Sequence, residues 1–177
     1  MKKLSILAWA VFAVGCAGTM KDGGTTPDPA QEQSMEAYVR DMFAHLDRGD
    51  VQYLKDTACP EAILFDMNEK GMPIAAWTKD EVMTALDGYG NLTKNGGTVH
   101  SEITRIACHA GGGRGFCALE FTQTMTMGGQ TMTMKGRGTA VNEMYKGHWI
   151  WEHWHGSMAE MPPMSAPPAA APAAAPQ

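Results

Sequence analysis

From Gly97 onward the helical period vanishes from this sequence, and that change constrains the fold more than any motif. Residues 98–108, 115–127, 130–143 and 147–157 alternate or are β-rich, with Gly-rich turns such as Gly128-Gly129 between them. Runs of this kind, joined by short turns, predict a four-stranded antiparallel meander. Its cover lies earlier in the chain. Ser34 to Leu46 carries Met35, Val39, Met42, Phe43 and Leu46 at helical spacing, with Ser34 as N-cap and Gly49 just past the end. Asp50 caps a second short turn that points Val51 and Leu54 inward, and Ala62–Asp66 reads as a short strand. Thr78-Lys79-Asp80-Glu81 is a capping box opening a third helix, with Val82, Met83 and Leu86 inside. A curved sheet wrapped around helices is the simplest α+β packing of that order.

The 177 residues suffice for one domain, and the net charge of −5 comes with no basic tract, which argues against nucleic acid as a partner. No apolar run reaches the roughly 20 residues of a membrane-spanning helix. Residues 1–15 read as an export signal, with Lys2 and Lys3 ahead of the apolar stretch Leu4–Val14. The stretch ends Ala13-Val14-Gly15-Cys16, which resembles the bacterial lipobox. That resemblance implies lipidation of Cys16 and a mature chain with 12 basic and 19 acidic residues, a charge of −7. Ala17 after the cysteine favours the outer membrane, on its periplasmic face, by resemblance to Gram-negative lipoproteins. Residues 16–33 then form a flexible tether, 34–160 the domain, and 161–177 a disordered Pro/Ala tail.

An exported chain permits disulfides. Cys108 and Cys117 flank a Gly-rich turn, and folding about Gly112 and Gly113 sets them opposite each other, close enough to bridge. Cys59 is left as a buried thiol or a partner in an alternative bridge. No Cys-x-x-Cys spacing supports zinc, and no metal or cofactor is expected.

The last run, Trp149-Ile150-Trp151-Glu152-His153-Trp154-His155-Gly156-Ser157, follows Gly136-Arg137-Gly138-Thr139-Ala140-Val141. Together they resemble the SnoaL-like branch of the nuclear-transport-factor-2-like superfamily, whose members often end W-x-I-x-H-x-H-x-S. His45-Leu46-Asp47-Arg48-Gly49-Asp50 is similar to the exit of that family's first helix. The resemblance implies a cone-shaped antiparallel sheet around about three N-terminal helices, an internal pocket and a dimer. Family members include ketosteroid isomerase, cyclases, dehydratases and many non-catalytic binders.

Strict alternation places Trp149, Trp151, His153, His155 and Ser157 on one face, which the resemblance makes the concave one. A loop of four or five residues around Met144–Lys146 would set Val141, Thr139, Arg137 and Lys135 opposite them. Trp149, Trp151, Arg137, Thr139, His153 and His155 are therefore candidate ligand contacts, with His153 kept neutral beside Arg137. Such a face suits an acidic or carbonyl-bearing molecule. Tyr38 could reach the pocket mouth. Asp66 is a candidate general base, like the carboxylate of ketosteroid isomerase, with His153 the other.

In the hairpin 122–134, Met125, Met127, Met132 and Met134 share one face and the threonines the other. The methionines suit a dimer surface on the convex sheet face, with Leu119, Phe121, Ile150 and Trp154, or simple core packing, or copper(I) binding through thioethers. The sequence as a whole predicts a lipid-anchored envelope protein binding a small, mostly apolar ligand without catalysis. The alternatives are an isomerase, cyclase or dehydratase, and a periplasmic copper handler.

Overall fold

A computed structural model describes residues 26–67 and 73–160. The export signal, Cys16 and the Pro/Ala tail lie outside the described residues. The elements run α1 (Pro29–Asp47), α2 (Val51–Asp56), β1 (Ala58–Met67), β2 (Pro73–Ala76), α3 (Lys79–Lys94), β3 (Thr98–Gly111), β4 (Arg114–Met127), β5 (Gln130–Tyr145) and β6 (His148–Glu160). They build a six-stranded sheet in the order β2-β1-β6-β5-β4-β3. The predicted meander is β3 to β6. β1 then joins parallel to β6, and β2, for which the residue pattern predicts no strand, forms an edge.

Local chemistry explains most boundaries. α1 starts five residues before Ser34, because Asp28 accepts the Ala30 and Gln31 amide hydrogens and Pro29 follows at the first helical position. Asp50 caps α2 through the Tyr53 amide, and Thr78 with Glu81 closes a capping box on α3. The hairpins turn on Gly112-Gly113, Gly128-Gly129 and Lys146-Gly147, all at positive φ, as two-residue turns matched to strand twist require. The third corrects the predicted longer loop. Lys146 takes a φ of 50°, which its residue type does not advertise, so Met144 rather than Val141 faces Trp149.

The main core lies between α1, α2, α3 and the concave sheet face, around Met35, Val39, Val82, Leu86, Phe121 and Trp151. Met125 and Met134 are 6% and 1% exposed and pack with Leu92 and Val99 in a second inner cluster. The hairpin register was read correctly, with Met125 opposite Met132. The methionines do share one face, but that face is the concave one: Met125 and Met134 fill core, Leu119, Phe121 and Trp154 are buried on the same side, Met132 packs partly buried, and Met127 at the hairpin end is 51% exposed. With Met125 and Met134 packed inside, the methionine face is core rather than a convex dimer surface or a set of four free thioethers for copper(I). The threonines stand outside, where Thr124 meets Thr133 and Thr126 meets Thr131 at 3.0 Å.

Cys108 and Cys117 are paired across β3–β4 and form the expected disulfide, with Cα atoms 4.1 Å apart. Cys59 is a buried free thiol, its pKa raised first by burial and then by the nearby Glu61 and Glu143 carboxylates. Converting both Cys108 and Cys117 to Ala should cost about 2–3 kcal/mol, given a closed loop of roughly ten residues. Calorimetry should then show a Tm lower by about 6–15 °C, matched by adding reductant to the unmodified protein.

Candidate functional site

β6 does not alternate strictly. Trp151 faces Asn142 and His153 faces Val141, so Glu152 is an extra residue, a β-bulge. Beyond it the inward positions become even-numbered. Trp149 and Trp151 turn inward as expected, at 5% and 2% exposure, and Trp154 joins them at 9%. His153, His155 and Ser157 emerge on the convex face. Their partners Val141, Thr139 and Arg137 come out with them.

The predicted cationic cluster is thus outside the cone. Arg137 is solvent-exposed and paired with Glu120 at 3.5 Å, and it lies opposite Ser157 rather than His153. His153 and His155 flank the Phe65 ring at 5.5 and 6.1 Å, and Phe65 meets the exposed Trp77 edge-on. The His153 pKa is lowered, though not by Arg137: partial burial comes first and the neighbouring His155 second. Being depressed in the fold, it makes a small contribution to stability at neutral pH that is lost as pH falls through the unfolded value near 6.5. Ring-proton NMR should find His153 titrating below 6.5, and His155→Gln should bring it closer to that value.

On the other side of the sheet a half-open cavity encloses about 70 Å³ between the sheet and helices. α1 contributes Met42, Phe43 and Leu46 from one face, spaced by one and three residues. The sheet contributes Phe121, Trp151 and Trp154. Phe43 meets Phe121 and Trp154 edge-on at 5.4 and 5.6 Å. Gly138 and Gly136 in β5 let these rings lie on bare backbone, since a Cβ there would overlap Trp154 or Phe121.

Asp66, Tyr89 and Gln123 bring polar groups to the wall. Asp66 shares β1's inward face with Leu64 and accepts a hydrogen bond from Trp154 Nε1 at 2.8 Å. A Cβ at position 156 would lie 2.7 Å from its Oδ1, so Gly156 makes room for the carboxylate. Gln123 Nε2 donates to Ser101 Oγ at 3.2 Å, and Trp151 Nε1 donates to the Leu54 carbonyl at 2.8 Å.

Of the residues predicted from sequence, Asp66 and Trp151 line the cavity. Trp149 is buried beside it and donates to Ser34 Oγ at 3.1 Å. Tyr38 is a turn too early on α1 to reach the wall. Its hydroxyl is buried near Thr57 and the Trp151 backbone, has no well-aligned partner among the described residues, and has its pKa raised chiefly by burial. The aromatic and polar wall residues missed were Phe43, Tyr89, Phe121, Gln123 and Trp154, along with the aliphatic side chains between them. Gln123 was detectable, as a polar residue in the series Leu119, Phe121, Gln123, Met125.

The six-stranded sheet and its helices match known structures. A nuclear transport factor 2-like superfamily protein from Salmonella enterica Typhimurium aligns over 76% of this chain and 95% of its own, at 17% identity and a TM-score of 0.61. A candidate scytalone dehydratase from Novosphingobium aromaticivorans aligns over 78% and 90%, at 13% identity and TM-score 0.62. The association domain of C. elegans CaMKII aligns over 72% and 95%, at 16% and 0.55. No curated protein sequence matches the chain. The family model of the SnoaL-like domain matches residues 35–161. That span takes in α1 from Met35 onward, the whole sheet and every described residue of the cavity wall, and by it this chain belongs to the SnoaL-like family, with a nuclear-transport-factor-2-like fold.

Proposed function

We propose that this protein is an envelope lipoprotein, anchored through Cys16, whose SnoaL-like domain binds a small, mostly apolar molecule in the cone without transforming it. The observation that carries the binding reading is the cavity itself: an aromatic and aliphatic wall, sparsely polar, preformed against rigid strands. The lipobox-like Ala13-Val14-Gly15-Cys16 supports the anchor. A homodimer through the convex face fits the exposed Phe116 and Trp77 there, and an association domain is among the structural neighbours.

A second reading is favoured by Asp66, an inward carboxylate of the kind a general base requires. An isomerase, cyclase or dehydratase would use it, and one structural neighbour carries a dehydratase name. His153 has no part in that reading, being on the opposite side of the sheet.

Native mass spectrometry of protein taken from its own membranes tests the proposal in one measurement. The expected spectrum shows a dimer lacking residues 1–15, acylated at Cys16 and carrying a small-molecule adduct. An unprocessed N-terminus would overturn the anchor. Protein with no adduct, and no thermal shift with any small apolar compound, would overturn the binding role.

A further inference from the structure

The cavity is long for its volume. On β6 its wall runs from Trp151 to Met158, and the register sets these residues level with Asn142 and Gly136 on β5. Those levels lie about 20 Å apart along extended strand. The space enclosed over that length is only about 70 Å³. A cavity of about 150 Å³ holds benzene, so this one is too narrow to enclose a ring and has room for about three chain carbons at a time. Phe43 packs edge-on against both Phe121 and Trp154, which keeps the sides from spreading. Met42 and Met158 are unbranched and conform to what lies beside them.

The two ends differ. One is apolar: Leu54 and Trp151 stand there, and the bond from Trp151 Nε1 to the Leu54 carbonyl ties α2 across it. Toward the Met158 end stand Asp66, beside Gly156, and Gln123, two residues past Phe121, which pairs with Gly136. Both are engaged inside the protein. Asp66 accepts from Trp154 and has a further partner, and Gln123 donates to Ser101. The wall therefore calls for no charge on a guest. It selects on shape.

We propose that the guest is a single unbranched alkyl chain, threaded with its methyl end against Leu54 and Trp151 and its polar end toward Asp66 and Gln123. This deepens the ligand-binding reading above and rests on it. A ring-bodied guest would have to push apart side chains that are packed against one another, whereas a chain presents one methylene at a time. Each methylene drawn between the walls exchanges water for apolar contact, so affinity grows with chain length.

The test uses the full chain and uncharged probes: the straight-chain alcohols from 1-butanol to 1-octanol, menthol, and xenon. Indole N–H resonances of Trp151 and Trp154 report occupancy. Affinity should rise about two- to fourfold with each added methylene. Menthol, a ring alcohol at least as apolar as 1-octanol, should bind at least about tenfold more weakly. In the 1-octanol complex, nuclear Overhauser contacts should join the terminal methyl to the Trp151 indole and the hydroxyl-bearing methylene to the Met158 methyl. A flat chain-length series, menthol binding as tightly as 1-octanol, or the terminal methyl found at Met158 would overturn the proposal and leave the pocket standing. So would alcohols that fail to bind where xenon or menthol does. If every probe leaves the indoles unmoved, the ligand-binding reading falls as well. The series needs no variant, so no failure to fold can blunt it.

Discussion

Inserting a single alanine between Glu152 and His153 should cost about 4 kcal/mol or more, whereas deleting Glu152 should cost about 1 kcal/mol. The asymmetry follows from the bulge. Trp151 faces inward opposite Asn142, and His153 faces outward opposite Val141. Removing Glu152 leaves Trp151, His153 and Trp154 as consecutive in, out and in positions of a regular strand. Each side chain keeps its side of the sheet, and only the local twist is lost. Adding a residue pushes the downstream strand half a period out of step. Trp154 would turn to solvent, His155 would be forced against the core, and Asp66 would lose its indole donor. The parallel pairing of Leu64 with Trp154 would also be broken. Chemical denaturation of the two variants measures the difference directly. Equal destabilisation would mean that the bulge does not set which side the Trp154 ring occupies.

That bulge also marks where the sequence stops being legible. The meander, two of its turns, the α3 capping box and the Cys108–Cys117 bridge are readable because each depends on residues within about ten positions of one another. The disulfide is the clearest case: once Gly112-Gly113 is the turn, the register of the flanking residues is fixed. Long-range features left no such trace. Nothing in residues 58–67 signals that they pair parallel to the last strand, and β2 is only four residues long. A period of two shows that a strand has two faces but not which one is covered. This is why the methionines of β4 and β5 were free to be read as surface, although Met134 is almost fully buried.

The candidate site was half legible for the same reason. Up to Trp151 the parity of β6 is correct, and the family resemblance correctly made that face concave. One unmarked residue then exchanged the histidines for Trp154. It also changed the chemistry assigned to the pocket, from a cationic cluster for an acid to a carboxylate among aromatic rings. Asp66 was recognised as a carboxylate near the cavity, but its parity with Leu64 in a buried strand was the stronger signal of its direction.

Trp151→Ala should be the most damaging single substitution in the wall. Its side chain is 2% exposed, and its indole N–H donates to the carbonyl of Leu54, in the six-residue helix α2. Its backbone N–H donates to the Thr57 carbonyl at 2.9 Å, so this residue fastens α2 to β6 by both main chain and side chain. Truncation removes a large buried ring, worth about 3–5 kcal/mol, and leaves the Leu54 carbonyl without its donor, worth about 1 kcal/mol more. A domain of this size has about 5–15 kcal/mol in total, so the variant should sit near the edge of folding at 37 °C. Trp151→Phe separates the two contributions: it keeps most of the apolar area and should lose only about 1–2 kcal/mol. The space vacated in Trp151→Ala adjoins the existing cavity, so free indole should bind there and recover part of the lost Tm. Rescue by indole in the alanine variant, but not in the phenylalanine one, would identify the loss as an unfilled cavity in the cone. An alanine variant within about 1 kcal/mol of the unmodified protein would show that Trp151 is not what ties the helices to the last strand.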